Sequence, residues 1–487
     1  MASSSLKRKT VSGLFWMAIQ RYSKMFIQFV SGIILARMLT PYDYGCIGMV
    51  MVFVSLSEVF IDGGFGSALI QKKRPDETDY STVFYWNLCV AVISYVILFA
   101  CAPWIARLYR IPELGVVLRV QGVVLFVYAF NVVQRNQLKK RMNFKLLSVV
   151  TVSSSVIALL ITILMAYNGY GVWSLVVQNF VVNLIPTVLF WFLLKWRPLL
   201  RFSWASFREL FSFGFYMFMT SMAESFSRQV TSLMIGRVYN ADTLGYYSKA
   251  LGTERLASYS ITRILTQVTY PLYAEIQNER EKLVSIIRQL VMIVSFLTFP
   301  LMSVLMLNAR PLFMLLYSDR WLASAPYFQV LCVAGFAACL QAVNYQSVLA
   351  VGKSRDMFYW TLVKRFVGLA AMVVGLLVWG MKGLLVGVVI NAWFSYFVNI
   401  GMVSFYVGYK WIQQLKDLLA VTLITIISLI CSYLSGLVTQ FSLYWDAVLK
   451  TLVFSCVYFV LSFALRTEAW RMVVLLLKTS FKQRNRS

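Results

Sequence analysis

Histidine is absent from all 487 residues, which excludes imidazole metal sites, His-based proton relays and His-dependent nucleophilic catalysis. Carboxylates are scarce, with 19 Asp plus Glu against 45 Lys plus Arg, and charged residues make up only 13% of the chain. The seven cysteines (Cys46, Cys89, Cys101, Cys332, Cys339, Cys431, Cys456) show no CxxC spacing and fall mostly inside apolar runs, so they read as small buried hydrophobes. No cofactor motif is found. Long loops are missing too, which excludes a sizeable soluble domain.

What the chain has instead is hydrophobic length. Hydrophobic residues are 60% of the sequence and mean hydropathy is +0.72. Runs of about twenty apolar residues, enough to cross a bilayer, recur from end to end. The sequence predicts an all-α integral membrane protein of about fourteen transmembrane helices, near 11–37, 46–70, 82–106, 114–134, 146–167, 172–194, 208–236, 244–268, 284–307, 324–350, 357–379, 383–408, 416–437 and 445–465. The first run follows Lys7, Arg8 and Lys9 but contains Arg21 and Lys24 and lacks a small-residue cleavage site, so it is expected to be a retained helix and not a signal peptide.

A net charge of +26 would point to nucleic acid in a soluble protein. Here the cations sit in short loops, and no RNA- or DNA-binding motif accompanies them, so nucleic acid is excluded as a partner. The loops are strongly asymmetric. One set holds Lys72, Lys73 and Arg74, then Arg135, Lys139, Lys140, Arg141 and Lys145, and later Lys353, Arg355, Lys364 and Arg365, with Lys478, Lys482, Arg484 and Arg486 in the tail. The opposite set is sparse, with residues such as Arg107, Arg110, Arg237 and Arg310. Cations are retained on the cytoplasmic side, so both termini are expected there. The run 467–487 reads as an interfacial amphipathic helix with a basic tail.

An internal repeat emerges at an offset of 200 residues. LARMLTPYDYG (35–45) falls on IGRVYNADTLG (235–245), and Ser12, Phe15, Phe26 and Val30 fall on Ser212, Phe215, Phe226 and Val230. Six spans separate the copies, so they point the same way. Parallel repeats of this kind are a transporter architecture with the substrate site between halves. The expected layout is an N-terminal six-helix bundle (1–206), a second six-helix bundle (207–410), and two additional helices with a basic tail (411–487).

Seven cations remain inside proposed spans: Arg21, Lys24, Arg119, Arg228, Lys249, Arg255 and Arg263. A central Arg or Lys disfavours insertion by about 2.5–3.5 kcal/mol, so such a residue faces a cavity or a partner. Met17, Arg21, Lys24, Gln28 and Ser31 recur at steps of four, three, four and three, one polar stripe along the first span. The offset lands this stripe on Met217, Ser221, Glu224, Arg228 and Thr231. Ser55, Glu58 and Asp62 hold the matching places in the second span, and Gly252, Arg255, Tyr259, Thr262 and Thr266 in the eighth. A hydrated cavity lined by spans one, two, seven and eight is the expectation. Glu58, Asp62, Glu224 and Glu254 could instead pair with four of the cations and serve helix packing alone. The excess of cations favours an anion site, because a guanidinium fork suits phosphate oxygens and Lys binds them as a point charge.

Several stretches carry a family resemblance: LARMLTPYDYG (35–45), VFIDGGFGSALIQKK (59–73), STVFYWNL (81–88), APWIARLY (102–109), GVWSLVVQ (171–178) and LGYYSKA (244–250). With them the whole chain resembles polysaccharide flippases of the Wzx type, in the superfamily of multidrug/oligosaccharidyl-lipid/polysaccharide exporters. The resemblance implies two six-helix bundles around a V-shaped cavity and a place in the bacterial inner membrane. It implies as substrate an undecaprenyl-diphosphate-linked oligosaccharide, moved from the cytoplasmic to the periplasmic leaflet by alternating access. The polysaccharide polymerase and glycosyltransferases of the same pathway would be its partners, and the sequence leaves open whether H⁺, Na⁺ or the membrane potential drives it. Related lipid II flippases set cations of the first and eighth helices against the diphosphate, and Arg21, Lys24 and Arg255 are similarly placed here. Two neighbouring readings share the architecture, a cation-coupled multidrug antiporter and a lipid II flippase. Multidrug members often rely on an acidic residue in the first helix, and span one has none.

Overall fold

In a bilayer an apolar segment has only its own backbone to satisfy its N–H and C=O groups, so long apolar runs become helices. The computed structural model describes residues 2–438 and 442–475. Its helices are α1 (Ala2–Met38), α2 (Pro41–Asp62), α3 (Phe65–Gln71), α4 (Glu77–Tyr109), α5 (Glu113–Gly122), α6 (Val124–Lys140), α7 (Phe144–Tyr167), α8 (Val172–Leu193), α9 (Trp204–Val238), α10 (Ala241–Glu275), α11 (Arg280–Leu307), α12 (Ala309–Tyr317), α13 (Ser324–Ala350), α14 (Ser354–Tyr406), α15 (Trp411–Val438) and α16 (Leu443–Ala464). Twelve of the expected spans fall each within one of these helices to about two residues, while 46–70 is divided between α2 and α3 and 114–134 between α5 and α6. Among the described residues, ten helical segments are long and apolar enough to cross a membrane. α1, α9 and α10 reach 37, 35 and 35 residues, but each carries charge along its length.

Contacts group the chain into two compact units, Met1–Ser248 and Lys249–Ser487. The first contains α1 to α9 and the start of α10. In it α1 packs on α7, α2 runs against α4, α5, α6, α8 and α9, and α3 lies against α6 and α9. In the second unit α11 packs on α13 and α15, α13 on α14, and α15 on α16. α14 is two helices in one, broken at Gly380, where φ 61° and ψ −137° leave the helical region.

The family-specific stretches turn out to be largely architectural. In LARMLTPYDYG, Thr40 caps α2: its Oγ1 accepts from Asp43 N (3.3 Å) and Asp43 Oδ2 accepts from Thr40 N (2.8 Å), with Pro41 in the first turn. Two hundred residues on, Asn240 Oδ1 accepts from Thr243 N (2.9 Å) and starts α10 in the same manner. Gly45 lies against the carbonyl of Ala241, and Gly245 against the carbonyl of Pro41. The approach is therefore reciprocal under the same offset. In VFIDGGFGSALIQKK, Gly63 and Gly64 have φ of 54° and 76°, a double left-handed step that only glycine takes without strain. It divides what reads as one continuous span (46–70) into α2 and α3. In STVFYWNL, Ser81 Oγ accepts from Leu199 N (2.9 Å) and Thr82 Oγ1 accepts from Ser203 N (3.1 Å), tying down the segment before α9.

The second unit is clamped at one end. Arg288 donates through Nε and Nη2 to both oxygens of Asp417 (2.8 Å each), and Nη2 also reaches Glu468 Oε2 (2.8 Å). Tyr409 OH donates to Asp417 Oδ2 (2.6 Å). Trp470 packs on Phe296 and Phe459. The helical start of the C-terminal run, 468–475, is thus docked on α11 and α16, while 476–487 lie outside the described residues. Asp417→Ala strands the buried side of this fork. We expect it to destabilise the detergent-solubilised protein by about 2–3 kcal/mol, less than a fully buried pair because Arg288 stays partly exposed, and thermal unfolding checks this.

Candidate anion-binding site

The α1 stripe varies in burial along its length. Met17 and Gln28 are exposed, Arg21 and Lys24 are half-buried, and Ser31 is buried, where its Oγ accepts from Gln178 Nε2 of α8 (3.0 Å). Its start is held by α7, whose Ser148 Oγ donates to Trp16 O (2.9 Å) and whose Lys145 ammonium lies over the Trp16 ring. On α2, Ser55 Oγ accepts from Gln229 Nε2 of α9 (2.8 Å). Glu58 and Asp62 follow at one and two turns, both half-buried.

These groups meet two cations that the loop tally had placed with the solvated set. α6 continues to Lys140, six residues past the end expected for that span, and carries Arg135 and Lys139 on one face. Arg135 is close enough to interact electrostatically with Lys24 of α1 and Glu58 of α2. Lys139 interacts in the same way with Asp62 and with Arg135 itself. The first unit therefore packs the helix that carries Arg135 and Lys139 against the helix that carries Glu58 and Asp62. A signal for this was readable in the stretch AFNVVQRNQLKK (129–140). Its amides Asn131, Gln134, Asn136 and Gln137 are an unusual load for an apolar span, and all four are buried. Neither polar atom of Gln134 or Gln137 has a hydrogen-bond partner, and Asn136 Nδ2 also lacks one. Each such group costs about 1–3 kcal/mol if left dry.

Neighbouring charges are fully committed to structure. Lys72, just beyond α3, reaches Asp79 and Glu209 at 2.9 Å each. Burial opposes its charge, but the hydrogen bonds to Asp79 and Glu209 outweigh this and raise its pKa. Lys140 donates to the backbone carbonyls of Ile70 and Lys72 at the end of α3.

The remaining expected residues are distributed. On α9, Glu224 and Arg228 pair with each other within one helix (3.2 Å), both more than half exposed. In the second unit Lys249 is buried, its Nζ 4.2 Å from the centre of the Tyr317 ring and 5.4 Å from that of Trp321. Tyr317 OH and Thr253 Oγ1 lie 3.0 Å apart and hold that ring in place. Glu254 is buried and bonds to Ser258, while Arg255, next in sequence, is exposed and within electrostatic reach of Glu254. The side chain of Arg263 lies outside the described residues. Arg119 rests over the Phe99 ring at 4.3 Å, near the end of α5. Lys364, tallied with the loop cations, is instead buried on α14, donating to Asn399 Oδ1 (2.8 Å) near the Tyr345 ring.

Residues 34–326 match the family model described as polysaccharide biosynthesis protein. The chain belongs to this family. It is similar to the teichuronic acid biosynthesis protein TuaB of Bacillus subtilis (strain 168), 24% identical over 358 residues covering 73% of this chain and 74% of that one. It is also similar to the lipopolysaccharide biosynthesis protein WzxC of Escherichia coli (strain K12), 24% identical over 442 residues, 90% of this chain and 89% of that one. Among solved structures, its fold is that of the lipid II flippase MurJ in an inward closed conformation, with a TM-score of 0.72 at 14% identity, covering 92% of this chain and 98% of that one. An inward-facing multidrug resistance MATE transporter of the MOP superfamily follows at 0.61 and 16% identity, covering 80% and 96%. The resemblance read from the motifs is borne out. The protein is a multi-pass membrane member of a polysaccharide biosynthesis family with a flippase and exporter fold.

Proposed function

We propose that this protein is a lipid-linked oligosaccharide flippase. It moves undecaprenyl-diphosphate-linked glycan units from the cytoplasmic to the periplasmic leaflet of the bacterial inner membrane by alternating access. In this reading 1–206 and 207–410 are the two repeats, 411–487 adds two helices, and fourteen spans leave both termini cytoplasmic. The observation that carries the reading is the half-buried cation pair Arg21 and Lys24 on α1, in a family of polysaccharide biosynthesis. A diphosphate loses its hydration in hydrocarbon, and Arg and Lys donors are what replaces it. Arg21, Lys24 and Arg255 bind the headgroup, and Arg228, Lys249 and Arg263 add to the field. With the cell interior negative, outward movement of a charge near −2 is favoured by about 4.6 kcal/mol per 100 mV, so the membrane potential helps the step. Glycosyltransferases supply the substrate and a polymerase consumes it. A multidrug antiporter would need an acidic group on α1 to exchange a cation, and the polar stripe there is cationic.

The test is reconstitution in proteoliposomes with a fluorescently tagged polyprenyl-diphosphate oligosaccharide. We expect protein-dependent appearance of the sugar on the far leaflet and no transport of a fluorescent organic cation. Cation transport without lipid movement would overturn the proposal in favour of the antiporter.

A further inference from the structure

We propose that Tyr317 and Trp321 are positioning residues that withhold the Lys249 ammonium in this conformation, and that the turn between them opens to let that charge meet the diphosphate. This rests on the reading that the chain takes a lipid diphosphate, and it names residues that the polar stripes of α1, α9 and α10 leave out.

Lys249 and Thr253 stand one turn apart on α10, where Thr253 Oγ1 donates to Lys249 O (2.8 Å). Both meet the segment that follows α12 within the second unit. Lys249 Nζ lies 4.2 Å from the centre of the Tyr317 ring and 5.4 Å from that of Trp321, and Tyr317 OH is 3.0 Å from Thr253 Oγ1. Lys249, Tyr317 and Trp321 are 8%, 3% and 0% exposed, so the ammonium is covered along with the rings. Two aromatic groups take over part of the stabilisation that water gives an ammonium outside. In this position the charge cannot touch a phosphate oxygen.

The cage is closed against its own backbone. Ser318, between the two aromatic residues, has φ 88° and ψ 172°, a region that is populated almost only by glycine. A side chain there is strained, and the strain persists only where surrounding contacts outweigh it. Trp321 N donates to Ser318 O (3.1 Å) and closes the 3₁₀ turn Asp319–Trp321. Phe313 packs on Tyr317 and on Phe328 of α13, with ring centres 5.3 Å apart in each pair. The turn is thus anchored through its aromatic residues, while Asp319 and Arg320 are exposed. Glycine at 318 would take the same shape without strain. Serine leaves the closed form nearer in energy to an open one.

Opening joins two events. Relaxation at Ser318 carries Tyr317 and Trp321 away from α10, and the same movement uncovers Lys249. A diphosphate that pairs with the freed ammonium favours the open form, because it makes that contact there and not in the caged form. A cage that served stability alone would only gain from relief of its strain. A cage that has to open would gain stability and lose transport.

Ser318→Gly in the full chain tests this, with Ser318→Ala as the control that keeps the strained side chain. Acetylation of Lys249 by a succinimidyl ester, followed by peptide mass spectrometry on the detergent-solubilised protein, reports how often the cage opens. Ser318→Gly should slow it by about tenfold and raise the melting temperature, Trp321→Leu should speed it by about tenfold, and Ser318→Ala should stay within about twofold of the wild type. In proteoliposomes with a tagged polyprenyl-diphosphate oligosaccharide, Ser318→Gly should translocate severalfold more slowly despite its greater stability. If Lys249 is acetylated in Ser318→Gly as fast as in the wild type, or is never acetylated in the wild type, the inference falls and the flippase reading stands. Slower acetylation with unchanged translocation makes the cage a structural element, and the inference falls again. If the wild type moves no lipid-linked oligosaccharide, the flippase reading falls and takes this role of Lys249 with it.

Discussion

Replacing Arg21 and Lys24 together by alanine should reduce translocation of a lipid-linked diphosphate by about a hundredfold or more while leaving the amount of folded protein unchanged or higher. Each side chain offers charge-assisted hydrogen bonds to phosphate, worth about 1.5–3 kcal/mol apiece, so losing both removes at least about 3 kcal/mol of recognition. Insertion moves in the opposite direction, because a cation at the centre of a span costs about 2.5–3.5 kcal/mol. This opposition of signs is diagnostic. If the two cations served packing, their loss would lower protein levels and activity together. The exchange Lys24→Arg keeps the charge and should retain most activity. Surface-polysaccharide display and membrane protein level, measured in the same cells, check both halves.

The second large effect concerns the fold. A Cβ at Gly45 would stand 1.8 Å from the carbonyl oxygen of Ala241, and one at Gly245 would stand 1.9 Å from that of Pro41. Both obstacles are backbone, at capped helix starts, and neither can rotate away. Gly45→Val and Gly245→Val should therefore each cost about 3 kcal/mol or more and leave little folded protein. Gly252→Ala, on the same helix as Gly245 but with open space around it, should be neutral or stabilising by about 0.5–1 kcal/mol. Thermal unfolding and monodispersity after extraction separate the two outcomes.

Much of this was legible in the residues. Apolar length located the helices, and the capping signals at Thr40 and Asp43 mark where α2 begins. The offset of 200 also paired Gly45 with Gly245 before any contact was known. Less legible were the charges near helix ends. Counting loop cations treats each as solvated, but α6 runs to Lys140, so Arg135 and Lys139 belong to a helix, and Lys364 lies inside the expected span 357–379 as well as in α14. The break at Gly63 and Gly64 was also hidden, because hydropathy passes smoothly through it and only backbone φ records the left-handed step. The stripe on α1 was visible as periodicity, whereas its partners on α6 depend on tertiary packing.

The central claim is that recognition runs through the phosphate charge. The most direct measurement compares, in one set of proteoliposomes, the same tagged oligosaccharide carried on a polyprenyl diphosphate and on an uncharged polyprenyl ether. Translocation of the diphosphate form alone, lost in Lys24→Ala, is the predicted result. Equal movement of both carriers would contradict it.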